Sequence, residues 1–131
     1  MKVADVVFVE TEDVERAHAR ALARFGGQEG VRDRGLLESA VMAPRTGYYA
    51  SLAELAAVYA HGLAKNHPFL DGNKRTAVIV ALAFLRVNGH ALTLGLEWVG
   101  HIERLASGEL TRDELVALFA NEMGDAVRLE P

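Results

Sequence analysis

Cysteine is absent from the 131 residues. That excludes disulfides, thiolate nucleophiles and thiolate-bound zinc or iron–sulfur centres. Only three prolines and one tryptophan occur, and neither a low-complexity tract nor a repeat period is present. Long hydrophobic runs are missing too. The longest stretch nearly free of charge, Thr76–Leu85, covers ten residues, where a membrane span needs about 20. The N-terminal segment carries Asp5 and Glu10 in place of the basic and apolar regions of a secretory signal. A soluble, cytoplasmic protein without a membrane partner is expected. A basic excess is also lacking. The net charge is −4, so a general nucleic-acid binder is disfavoured and no direct nucleic-acid partner is expected. What is present is an ordinary globular composition, 50% hydrophobic and 24% charged. A single domain over residues 1–131 fits that length and can bury one core without staples.

The charge is unevenly spread. Between His61 and Arg75 stand Lys65, Lys74 and Arg75 against Asp71 alone. A small positive island in an acidic chain suits a small anionic ligand better than a polyanion. Capping residues and glycines divide the chain into six expected helices. The first is capped by Thr11 and stops at Gly26-Gly27. The second opens at Asp33 or Gly35 and ends at Pro44. Ser51, with Glu54 three residues on, opens the third, which runs to about Asn66. The fourth runs from near Asn73 to Asn88-Gly89. Its middle, Ala77–Leu85, is apolar on every side, which marks it as the helix that the others surround. Leu96–Ala106 forms the fifth. Thr111 and Glu114 open the sixth, to about Asn121. Val6–Val9 and Ala91–Leu94 are short β-prone runs that could pair, and Gly124–Pro131 reads as loose. The expected fold is mainly α, a compact six-helix domain around a buried central helix, with at most a short two-stranded β element.

Chemistry concentrates in His67-Pro68-Phe69-Leu70-Asp71-Gly72-Asn73-Lys74-Arg75-Thr76, where a loop enters the fourth helix. Gly72 and Asn73 leave unobstructed backbone N–H groups at the positive end of the helix dipole, an anion site. Lys74 and Arg75 are cations in the first turn, where the dipole disfavours each by about 0.3–1 kcal/mol. An anion bound there would offset that cost, and phosphate suits an Arg fork beside a Lys point charge. Asp71 is a hard oxygen ligand of the kind Mg²⁺ shares with phosphate oxygens and water. His67, with an ordinary pKa near 6.5, suits proton abstraction from a hydroxyl at neutral pH. Phe69 points inward to anchor the loop, and Pro68 stiffens it. Base, metal ligand and phosphate cradle within nine residues describe nucleotide-dependent group transfer to a hydroxyl.

This segment resembles the signature of the Fic/Doc family, His-Pro-Phe-x-Asp/Glu-Gly-Asn-Gly-Arg-x-x-Arg, and specifically its death-on-curing toxin branch. That branch has Lys in place of the glycine after Asn, as in Asn73-Lys74-Arg75. The likeness extends to Gly26-Gly27, Gly30-Val31-Arg32-Asp33, Leu36–Ala40, Phe84-Leu85 and Asn88-Gly89, and covers the chain from about Val9 to Phe119. It implies a six-helix Fic-type fold and transfer from ATP to a protein hydroxyl. His67 would be the catalytic base and Asp71 the Mg²⁺ ligand. Gly72, Asn73, Lys74 and Arg75, counted with Phe69 and Lys65, would form the nucleotide site.

Two positions depart from the main signature. Lys74 crowds the place that glycine leaves open for a nucleotide α-phosphate, and Val78 replaces the terminal Arg. Both favour transfer of the γ-phosphoryl group, with the nucleotide reversed as the branch implies, over AMP transfer. The alternatives are a Fic-type AMP transferase or a catalytically idle binding domain. The branch further implies a growth-arresting toxin whose protein substrate is a translation elongation factor. It also implies an antitoxin. The family's own inhibitory helix reads Ser/Thr-x-x-x-Glu-Gly/Asn. Thr11–Glu15 has that spacing, but Arg16 follows, so the antitoxin is expected in trans, with a disordered segment that folds on binding.

Overall fold

The computed structural model describes residues 1–131. Six α-helices follow a 3-10 turn at Val3–Asp5: α1 Thr11–Phe25, α2 Arg34–Thr46, α3 Leu52–Asn66, α4 Asn73–Val87, α5 Glu97–Ser107 and α6 Arg112–Met123. Their starts follow from local chemistry. Asp33 Oδ1 accepts from the Leu36 N–H at 3.0 Å, and Ser51 Oγ accepts from the Glu54 N–H at 3.1 Å. Thr111 and Glu114 close a reciprocal box. The Glu114 carboxylate is held below its usual range by the Thr111 N–H and then its hydroxyl. At α1 the cap is Glu10 rather than Thr11. Its N–H donates to Asp13 Oδ2 at 2.9 Å, and its carbonyl accepts from the Asp13 N–H at 3.0 Å. Helix α2 also runs past Pro44 to Thr46. A proline this near the C-terminus forfeits one backbone bond in a turn that is ending anyway.

The helix at the centre is α3, not α4. Ten of its fifteen residues are buried, against seven in α4. Its alanines (Ala53, Ala56, Ala57, Ala60 and Ala64) are small enough for α2, α4, α5 and α6 to pack against it. Tyr59 and Phe84 meet at this α3–α4 seam with ring centroids 5.0 Å apart. Val78, Ile79 and Leu82 of α4 remain half-buried on the side away from α3.

No sheet forms, and the expected pairing of Val6–Val9 with Ala91–Leu94 is replaced by side-chain contacts. The Asn88 carboxamide accepts from the Val7 N–H and donates to the Val7 carbonyl, both at 2.9 Å. Tyr59 Oη accepts from the Val9 N–H at 2.9 Å. One amide and one phenol satisfy the groups that a partner strand would have used. Nor is the C-terminal segment loose. The Ala126 and Val127 carbonyls accept from the Ala53 and Leu52 N–H groups, which open α3, and the Leu129 N–H donates to the Ala50 carbonyl. These are helix-start donors that have no acceptor inside the helix.

Candidate functional site

Helix α3 ends and α4 begins at one edge of the domain, joined by His67–Gly72. Three devices fix this loop. The Asn73 side chain is buried, accepts from the Phe69 N–H and donates to the Phe69 carbonyl, both at 2.9 Å. Phe69 is buried and stacks on His18 of α1, with centroids 3.8 Å apart and planes 6° from parallel. His18 Nε2 lies 2.8 Å from the Asp71 carbonyl. A carbonyl can only accept, so Nε2 carries the proton. Phe69 thus stands in the core as an anchor, and the Asn73 amide is engaged with the loop itself.

Gly72 then turns the chain into α4 with φ 75°, a left-handed conformation that favours glycine. No protein group accepts from the backbone N–H groups of Asn73, Lys74 and Arg75. These donors open onto a cleft of about 760 Å³ that Asp71, Gly72, Asn73, Lys74 and Arg75 line on one side. Val78 and Leu82 of α4, the segment Leu94–Leu96, and Trp98, Val99 and Ile102 of α5 form an apolar wall. A polar end with free donors and an apolar flank is the composition of a small-molecule site, and the volume is ordinary for one.

The charges are arranged around that end. The Asp71 carboxylate is exposed and accepts from the Gly72 N–H at 2.8 Å and the Gln28 N–H at 3.0 Å. The Gln28 and Gly72 bonds, in that order, hold it below the usual carboxylate range. Gly27 permits the approach, since a Cβ there would stand 2.8 Å from Asp71 Oδ2. Each oxygen keeps acceptor capacity beyond its one bond. An anionic, accessible carboxylate beside free N–H donors fits Mg²⁺ shared with phosphate oxygens and water. No group of three or more His, Asp or Glu side chains could hold a metal alone. Arg75 makes no ion pair, and its guanidinium lies over the Phe25 ring, 4.7 Å from the centroid. Lys74 Nζ pairs with both carboxylate oxygens of Glu103 on α5, at 2.9 and 3.0 Å.

The other two sequence candidates lie outside this cluster. His67 caps α3 with φ 49° and ψ 60°, is exposed, and makes no side-chain hydrogen bond. Lys65 Nζ lies beside Gly108 at the end of α5, where a Cβ would approach it to 2.9 Å. Sequence reasoning missed His18, Gln28, Phe25 and Glu103. Only His18 left a signal, as a polar residue on the apolar stripe Val14, Ala17, Ala21.

The model of the Fic/DOC family matches residues 8–85. A protein named Toxin Doc from Mycolicibacterium smegmatis is 40% identical over 111 residues, covering 81% of this chain and 82% of its own. A protein named Protein kinase doc from Escherichia phage P1 is 36% identical over 122 residues, covering 90% of this chain and 97% of its own.

Proposed function

The chain belongs to the Fic/DOC family, and from that premise we propose that it is a toxin that transfers the γ-phosphoryl group of ATP to a serine or threonine hydroxyl of a protein. The observation that carries the reading is the set of three unpaired N–H groups at the start of α4, flanked by Asp71, Lys74 and Arg75. Those donors and cations bind the phosphate chain. Mg²⁺ bound through Asp71 would neutralise phosphate charge. His67 takes the proton of the acceptor hydroxyl. The hydroxyl oxygen forms the new bond to the γ-phosphorus, the bond from that phosphorus to the β–γ bridging oxygen breaks, and ADP leaves. Transfer of the γ-phosphoryl group is preferred over AMP transfer because the Lys74 side chain stands in the cleft, against Glu103, where a glycine would leave open space.

The names of the two relatives, a toxin and a protein kinase, support the biological reading. An antitoxin protein in trans would hold the toxin, through a disordered segment that folds on it, and a translation elongation factor would be the substrate. The test is incubation with a desalted cell extract and ATP labelled at the α- or the γ-phosphate. Label from the γ-position is expected on protein, and lost in His67→Ala, whose exposed side chain contributes no bond to the fold. Label retained from the α-position would replace this reading with AMP transfer. No label from either would favour a binding domain.

A further inference from the structure

His67 is one of two non-glycine residues with positive φ in the chain. The left-handed region is disfavoured for an ordinary residue and persists only where the surroundings enforce it. The enforcement here comes from one neighbouring segment. The Arg32 guanidinium donates through Nε to the His67 carbonyl at 2.6 Å and through a terminal nitrogen to the Asn66 carbonyl at 2.8 Å. The Arg32 and Asp33 N–H groups donate to the Pro68 carbonyl at 2.8 and 3.0 Å, and the Leu70 N–H donates to the Gly30 carbonyl at 3.0 Å. Among these contacts only Arg32 reaches His67 itself, and it does so with a side chain. Its fork also satisfies carbonyls at the end of α3 that have no partner within the helix.

We propose that Arg32 is a positioning residue for His67, whose guanidinium locks the left-handed turn and so sets where the imidazole stands relative to the acceptor hydroxyl. The inference rests on the reading of His67 as base. Arg32 lies outside the cluster at the start of α4, so it acts on the transfer step and not on nucleotide binding. Its side chain is exposed, so replacing it leaves the core untouched. Lysine has a single ammonium and no fork, and can serve only part of the role.

The experiment compares wild type, Arg32→Ala, Arg32→Lys and Arg34→Ala. Arg34 is a neighbouring arginine that pairs with Glu15 and does not touch the loop. Two quantities are read: the labelling rate from γ-labelled ATP on a desalted extract across ATP concentrations, and the His67 φ from backbone scalar couplings and carbon shifts. In Arg32→Ala the rate at saturating ATP should fall tenfold or more, toward the order of 100-fold that a misplacement of about 1 Å costs. The half-saturating ATP concentration should stay within twofold of wild type. The φ should leave the left-handed region. Arg32→Lys should recover part of both changes, and Arg34→Ala should match wild type. With a wild type that labels, an unchanged rate in Arg32→Ala, a rise in its half-saturating ATP alone, or a His67 φ that stays near 49° in it would overturn the proposal. If wild type itself fails to label protein, the transfer reading falls. The φ measurement still decides whether Arg32 holds the turn.

Discussion

The residue that most directly limits the site is Glu103. Its carboxylate occupies the Lys74 ammonium that the site would offer to phosphate. A phosphate that takes Lys74 must displace this partner. Glu103→Gln should therefore tighten ATP binding several-fold, read by calorimetric titration with and without Mg²⁺. Unchanged or weaker binding would place Lys74 outside the phosphate contacts. Asn73 plays the opposite part. Its side chain satisfies both backbone groups of buried Phe69. Asn73→Ala leaves them unpaired at a cost of about 1–3 kcal/mol each, and a lowered urea midpoint checks it. The sequence made Asn73 legible as a member of the site but not in this way. A phosphate ligand and a loop clasp both call for a short amide at a helix start, and only the tertiary position of Phe69 separates them. Glu103 and Phe25 were illegible for another reason. Glu103 lines the cleft from α5 and Phe25 meets Arg75 from α1, and nothing local in those helices marks either meeting.

At the level of elements, the caps that open α2, α3 and α6 were readable, because a cap is a contact between residues three apart. The centre was not. Nine consecutive apolar residues drew attention to α4, whereas the alanines of α3 decide which helix can be approached from every side. The missing β pair has the same origin. Val6–Val9 has the strand pattern, but Asn88 and Tyr59 reach its backbone first. Tyr59 makes this contact testable. Burial pushes its phenol up to about 12, a rise that the bond from the Val9 backbone only partly offsets. A raised folded-state value means that the neutral phenol is favoured in the fold. Its stabilisation is fully present below pH 10 and is lost as pH climbs from 10 toward 12. Urea midpoints of wild type and Tyr59→Phe should therefore differ near neutrality and converge above about pH 11. A gap that does not vary with pH would remove the buried phenol from the account.

For the whole molecule, length and composition pointed to one core, capping residues and glycines to six helices, and the short motif to the edge where α3 meets α4. The pieces that complete that edge come from residues distant in the chain: His18 and Phe25 from α1, Gln28 and Arg32 from the loop after it, and Glu103 from α5. Their assembly leaves the start of α4 with a row of free donors facing a cleft. The central claim is that these donors grip phosphate. Titration of the isotope-labelled protein with ATP and Mg²⁺, followed through backbone amide resonances, addresses it without any need for the substrate protein. The amides of Asn73, Lys74 and Arg75 should shift saturably and more than any others. Saturable binding that leaves those three resonances in place while others move would contradict it.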